Sequence, residues 1–590
     1  MSGTVQIPGY NVSNRVPGAY AVVDASKANT ASQLQVTLII GQMTGVGTAT
    51  PGTAVISAGV GDAQTSFGAG SMLAIEVERY RALDTTGTVW CLPLADAGTV
   101  LVTTAAQGTP GTTLQFAAGT LGDVIAGETV SGTGVAASTT VAGVNDATGV
   151  VTLSATTTSA VTIGASITFG SSAAATMSIT FTGTATATAV LPLYVDGHYV
   201  PVSVSSAQTA AQVATSVAAA ANAWTSPGGN PLSWVASASS ATVTFTARNA
   251  GAIGNQGTIV LSYGGTVAGQ GQPGGTNVPG ITATITAATG GTTNPVLATA
   301  LANLPQQSFD FIVCPYNDST TLAALTSFLS DGTGRWNWSS ELFGGAFTAY
   351  GGTLSARTTW STALNDQHLT AIGANGSPSP DYHWAVDYAA AAAVSLRANP
   401  AVPVGGFQQG GEGGGVALNV LAPQLANRDT YSEMNTLLFD GMSTYGVDAS
   451  GVVRVGRAIT TYQKNQAGSP DNSYLDLNVP YQLAAYIRAW RTMITSQFNQ
   501  KVLVANGTRI PPGSSMVTPA TVQFATVAQY RQLALDGGYG LPAGIVANPD
   551  AFASGISVTN AGSGLLTCLL PVQLSTGLIV VAADVQFTRT

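Results

Sequence analysis

Three histidines are the whole supply of imidazole in this 590-residue chain, so chemistry that needs a base near neutral pH has to use His198, His368 or His383. Two of them follow an acid at a spacing of two, in Asp366-Gln367-His368 and Asp381-Tyr382-His383, an arrangement by which a carboxylate orients a ring for general-base work. No nucleophile accompanies them, because a Gly-x-Ser-x-Gly elbow occurs nowhere, and the same spacing is an ordinary local pair in a loop. Zinc motifs of the HExxH or CxxC type are missing as well. Cys91, Cys314 and Cys568 lie too far apart for a metal spacing or a disulfide framework and read as small buried apolar residues. Phosphate binding through a P-loop needs glycine before lysine, and Lys27, Lys464 and Lys501 all lack it. The run Gly269 to Gly274 fits GxGxxG but carries Pro273 and opens no helix, while Gly410 to Gly415 reads as a flexible turn. The expectation is a protein with no catalytic, cofactor-binding or metal-binding residues, although a site made only of carboxylate and carbonyl oxygens is left open.

What the composition favours instead is assembly. Charged residues make up 8% of the chain, where about 25% is usual for a soluble protein, and a surface so poor in charge is weakly protected against self-association. The net charge of −9, with no cluster of Lys and Arg, argues against a nucleic-acid partner. No run of about 20 apolar residues is free of Gly, Ser or Thr, so membrane insertion is not expected. The start Met1-Ser2-Gly3-Thr4 has neither a basic nor an apolar leader, which points to synthesis in the cytosol. At this length the chain should divide into roughly three to five units.

Along the chain, residues 1–31 read as an extended arm. Leu34 to Gly41 and Thr88 to Leu94 read as strands, with a helix from Ser71 to Leu83 that places Met72, Ile75, Arg79 and Leu83 at helical spacing. From Val100 to Ala300 the only charged residues are Asp123, Glu128, Asp146, Asp196 and Arg248, which marks an insertion. Its first part, about Leu101 to Phe169, has the short alternating runs of a small β-sandwich. Its second part predicts strands over Met177 to Phe181 and Leu191 to Val195, a helix over Ala207 to Trp224 and a strand over Val235 to Thr246; Gly264 to Gly280 then reads as a linker. An α/β pattern resumes with a helix from about Asn294 to Leu304, the strand Phe309 to Cys314, a helix over Ser319 to Leu329 capped by Asp318 or Ser319, and an alanine-rich helix over Ala385 to Leu396 that demands close packing. Thr430 to Tyr445 is amphipathic through Met434, Leu437, Leu438 and Met442, with Gly446 as its expected C-cap. Pro480 to Phe498 carries the stripe Leu483, Ile487, Trp490, Ile494 and Phe498, and another helix spans Pro519 to Leu535. The terminal run Val585 to Thr588 alternates like a strand in need of a partner sheet.

Several of these segments resemble, in order, the tail sheath proteins of Mu-like phages. Arg15 to Tyr20 resembles that family's arm, Leu38 to Gln42 with Gly47 to Thr50 its first strand and loop, and Phe67 to Ser71 the turn into its first helix. Tyr194 to Gly197, Ala247 to Asn255, Ile312 to Asp318 and Leu421 to Pro423 follow in the same order. Residues of about Leu101 to Phe169 fall outside the resemblance and look like an added β module.

The resemblance implies an α+β multidomain protein: a discontinuous α/β core built from N- and C-terminal parts, with inserted β-sandwich-like and strand-helix-strand domains. The expected divisions are an arm over 1–31, the core at 32–98 and 421–576, insertions at 99–172 and 173–290, a middle sheath domain at 291–420, and a terminal arm strand at 577–590. It implies a homo-oligomer of stacked, hexameric rings around a tail tube protein, in contact with a baseplate and a tail terminator, located in the virion tail and made in the host bacterial cytoplasm. Subunit-linking arms would use Val16, Tyr20, Val22, Val580, Val585 and Phe587, and Arg488, Arg491 and Arg531 are candidates for facing the tube, set against their reading as a solvated helix face. The Thr/Ala/Gly-rich middle alternatively suits a secreted adhesin or surface-layer protein, which would need an export signal; a virion glycan hydrolase would need a carboxylate pair in a cleft.

Overall fold

The computed structural model describes residues 35–108, 111–121, 124, 126–170, 172–263, 275–409, 412–511, 513–584 and 586. The arm residues Val16, Tyr20, Val22, Val585 and Phe587, and the glycine run at 269–274, lie outside the described residues. The chain divides into two compact units, one holding 482–576 with 399–401, the other holding 35–398, 402–481 and the residues from 577 onward.

A six-stranded sheet organises the larger unit. Val36–Gln42 runs parallel between Thr88–Leu94 and Phe311–Val313; Gly345–Ala349 and Leu369–Ile372 extend the sheet beyond the latter, and Val55–Ile56 closes the other edge antiparallel. Every residue of Val36–Gln42 is buried, as a central strand covered on both faces requires. Because side chains alternate, the sheet feeds two cores. Ile39, Cys91, Val313 and Phe347 pack with the helices Met72–Leu83 and Asp381–Ala398, whereas Leu38, Leu92, Ile312 and Ala346 pack with the helix Ser319–Leu329. The sheet takes its other strands from 311–372. Val453–Val455 lies antiparallel between Tyr445–Val447 and Ala417–Leu418 in a separate small sheet.

Ser71 caps the helix Met72–Leu83 by accepting from the Ala74 amide at 3.2 Å. Its predicted one-sided stripe is exceeded, since every residue from Met72 to Val77 is buried along with Tyr80. The cause is the alanine-rich helix Asp381–Ala398, whose small side chains at Ala389 to Ala393 admit the close approach expected of them. Arg79 reaches across to Asp387 at 2.6 Å.

Both parts of the insertion lie in the larger unit. Thr99–Val102, Ser166–Phe169 and Val130–Gly132 form one antiparallel sheet, Thr113–Gln115, Val150–Leu153 and Val141–Asn145 another, and the two share one cluster in which Phe116 meets Phe169 edge-on at 5.2 Å. Further along, the helix Ala210–Ala223, closed by a Thr209/Gln212 capping box, packs into a cluster with a four-stranded sheet and a three-stranded one. Here the single strand expected over Val235 to Thr246 is a hairpin, Trp234–Ser239 with Thr242–Ala247, turned at Ser240 with φ +52°. An unexpected strand, His198–Val204, folds back on Ala189–Val195 through Asp196-Gly197, whose φ values of +49° and +81° are those of a two-residue hairpin turn.

Elsewhere the elements shorten. The helix read over Thr430 to Tyr445 is Tyr431–Phe439, with Thr430 as its cap; the chain turns at Gly441, φ +81°, and Gly446 sits inside the strand Tyr445–Val447 instead of capping a helix. Leu437 and Met442 of the predicted stripe are buried, but Met434 and Leu438 are only half covered. The helix near Asn294 is reduced to Ala298–Ala302, and Asp318 is the residue that caps Ser319–Leu329.

In the smaller unit the helix Asn478–Phe498, from Gln482 on, packs against Pro519–Leu535, and Gln529 Nε2 donates to the Ala489 carbonyl at 2.7 Å. Its most buried line is Gln482, Tyr486, Ala489 and Met493; the predicted stripe flanks that line and is half-buried. Ser557–Gly562 and Leu565–Leu569 form an exposed hairpin. Among the described residues no helix is long and apolar enough to cross a membrane.

One buried group sets a pH dependence. Glu76, on the helix Met72–Leu83, is fully buried, and neither carboxylate oxygen has a hydrogen-bond partner. Burial holds its pKa well above the ordinary carboxylate range. A raised folded-state pKa gives stability that is complete at low pH and is lost as pH rises. Glu76→Gln should therefore gain stability relative to the parent as pH increases from about 5 to about 9; urea midpoints at both ends check this, and a constant difference would contradict it.

Candidate assembly site

Four of the short motifs, at 38–42, 67–71, 194–197 and 247–255, meet in one place, the junction between the second insertion and the sheet. Three carboxylates organise it. Asp196, buried in its hairpin turn, accepts from Ser233 Oγ at 2.9 Å, Trp234 Nε1 at 2.6 Å, the Thr258 amide at 2.8 Å and Tyr382 Oη at 2.9 Å, so it joins the insertion to the helix Asp381–Ala398. Asp96 accepts from Gln42 Nε2 at 2.7 Å, Asn249 Nδ2 at 3.0 Å and the Ala250 amide at 2.8 Å. Glu78 accepts from Ser226 Oγ at 2.7 Å, the Gly228 amide at 2.9 Å and Asn230 Nδ2 at 2.7 Å. Asn230 and Asn249 also accept from the amides of Gly70 and Met72, which fixes the start of the helix. Burial pushes the Asp196 carboxyl up from its ordinary value, against the pull of its four donors.

The histidines take part as packing groups. His383 stands edge-on to His198, ring centres 5.6 Å apart, with neither nitrogen hydrogen-bonded, and burial followed by the Arg79 charge drives its pKa well down. Its neighbour Asp381 accepts from Asn317 instead. His368 stacks on Trp336 at 4.4 Å and stands 3.5 Å from Asp366, the local loop pair anticipated from the spacing. Among the described residues no group of three or more His, Cys, Asp or Glu is placed to hold a metal.

Surface features complete the picture. Val580 is 75% exposed in an extended segment that joins no strand ladder. Leu578 and Val581 beside it are exposed too, and a groove of about 730 Å³ opens between this segment, Phe407 and the helix Tyr431–Phe439. Arg488 is half-buried and Arg491 exposed on one helix, whereas Arg531, on another, pairs with Asp550 at 2.9 Å. Sequence reasoning missed Glu78, Asp96 and Asp196 as acceptors. For Asp196 the available signal is scarcity, since a lone acid in a stretch almost devoid of charge has to find partners if it is buried.

Residues 290–461 match the family model of the phage tail sheath protein central domain. This part of the chain is thus similar to a tail sheath central domain. It is 28% identical over 525 residues to the Mu-like prophage FluMu tail sheath protein of Haemophilus influenzae, a match that covers 89% of this chain and 88% of that protein. Among solved structures, the sheath tail protein Lin1278 from Listeria innocua aligns over 92% of this chain and 93% of its own at 13% identity and a TM-score of 0.39. A chain of the anti-feeding prophage baseplate aligns over 49% of this chain and 73% of its own, at 14% identity and a TM-score of 0.32. The matched region contains the strands Phe311–Val313, Gly345–Ala349 and Leu369–Ile372, the helix Asp381–Ala398 and most of the groove.

Asp196→Ala should leave Trp234 Nε1, Tyr382 Oη and the Thr258 amide without their acceptor and cost roughly 3 kcal/mol. Urea unfolding followed by Trp fluorescence measures it. A loss no larger than that of an exposed-surface substitution would show that the junction does not depend on this carboxylate.

Proposed function

We propose that this chain is the subunit of a contractile tail sheath, polymerising helically as stacked, hexameric rings around a tail tube and contracting to drive the tube through the target cell envelope. The observation that carries the reading is the collinear similarity to a Mu-like tail sheath protein across nearly the full length of both chains. The role is structural and not enzymatic. Free energy for contraction comes from subunit contacts that bury more surface in the second packing, so no nucleotide is consumed, and a baseplate releases the first packing. Tail tube, baseplate and tail terminator are the partners, without direct nucleic-acid contact or membrane insertion. The subunit is made in the host bacterial cytoplasm and ends in the virion tail.

Connectivity is assigned to the arms. Val16, Tyr20 and Val22 at one end and Val580, Val585 and Phe587 at the other add strands to neighbouring sheets, which supplies main-chain hydrogen bonds that survive rotation of one rigid body against the next. An exposed, unladdered Val580 suits that role. Arg488, Arg491 and Arg531 are assigned to the tube side. Residues 99–172 and 173–290 act as inserted domains on the solvent side, with the core in 32–98 and 421–576 and a middle sheath domain at 291–420.

Truncation after Gly577 should leave a folded monomer that no longer forms polymers. Sedimentation of the truncated and full-length proteins under the same assembly conditions decides it; unchanged polymerisation would remove the arm-exchange reading.

A further inference from the structure

The C-terminal segment is not simply loose. Gly577 lies against Pro403, and a Cβ at 577 would stand 3.5 Å from the Pro403 Cβ. From there Leu578, Ile579, Val580 and Val581 run along the groove whose walls include Phe407, Tyr431, Met434 and Leu438. The seat is shallow. Ile579 is half-buried, but Leu578, Val580 and Val581 are 69%, 75% and 65% exposed, and the segment forms no ladder with the strand Tyr445–Val447 at the groove floor. Of these four successive apolar residues only Ile579 is partly covered, and no ladder holds them, which is an arrangement easily undone.

We infer that this groove is the resting seat of the chain's own C-terminal segment, a latch that keeps the segment in cis until assembly draws it out. The inference rests on the strand-exchange reading of the arm. While Ile579 is seated, the strand is withheld from a neighbour, and the fraction of subunits able to link is the fraction with the latch open. A weak seat without main-chain hydrogen bonds loses to a sheet edge that offers them, so the exchange runs toward the polymer once a neighbour is present. The latch therefore slows nucleation without opposing growth.

Two measurements test it in the full-length chain carrying Cys568→Ser. First, Pro403→Cys with Gly577→Cys places two Cβ atoms within the roughly 3.5–4.5 Å that a disulfide needs; oxidation of the monomer should close an intramolecular bond, and failure to close it would overturn the seat. Second, Met434→Asp, or Tyr431→Asp at the exposed first position of its helix, removes the seat and leaves the segment's own sequence unchanged. If the segment is seated about nine parts in ten, tube formation should start with a lag about tenfold shorter at equal concentration. An unchanged or longer lag in both variants would overturn the latch. The truncation after Gly577 separates the two levels: tubes from the truncated chain would sink strand exchange itself, whereas loss of tubes together with an unchanged lag in the groove variants would sink only the latch.

Discussion

The carboxylate of Asp196 holds together what the chain alone would leave hinged. Residues 99–290 leave and rejoin the sheet through two connections, and an insertion tethered at two adjacent points swings unless other contacts fix it. Asp196 fixes it to the helix Asp381–Ala398 through Tyr382, Asp96 to the end of the central strand through Gln42, and Glu78 to the helix Met72–Leu83 from that helix's own surface. Three attachments at different places remove the freedom to rotate. A buried acid such as Asp196 is costly unless its lone pairs are answered, so the group that fixes the geometry also excludes other geometries.

Under the proposed sheath role such rigidity matters because motion has to be confined. If subunits rotate against one another, a body that bends would dissipate the movement. The structure separates the two needs: a sheet buried on both faces and a polar junction in the larger unit, and an apolar segment beyond Gly577 that no ladder holds. Low charge serves both, since it permits close packing of surfaces and makes each remaining charge a specific attachment.

How much of this the sequence disclosed depends on range. Local rules worked where the residues near a site decide its form: Ser71, Thr209, Asp318, Thr430 and Thr518 cap helices as their types require, and Pro519–Leu535 has the expected limits. Periodicity misled where tertiary packing overrides it. Met72–Leu83 is covered on more than one side and therefore shows no clean stripe, and the buried line of Asn478–Phe498 is drawn by Ala489 and Gln482, residues that hydropathy does not mark. The Asp196-Gly197 hairpin was written in the sequence as a turn dipeptide between alternating runs, but it was read only as part of a family pattern. The junction was invisible because its partners lie as far apart as Asp196 and Tyr382, a separation no local rule spans. The family resemblance itself drew on some of those residues, and Gln42, Gly70, Asp196 and Asn249, each from a different short motif, contribute a donor or acceptor to one junction.

Electron microscopy of the purified chain under assembly conditions tests the central claim most directly. The account predicts straight hollow tubes of uniform diameter, built from repeating rings. Monodisperse single subunits under every condition of concentration and salt, from protein shown to be folded, would contradict it.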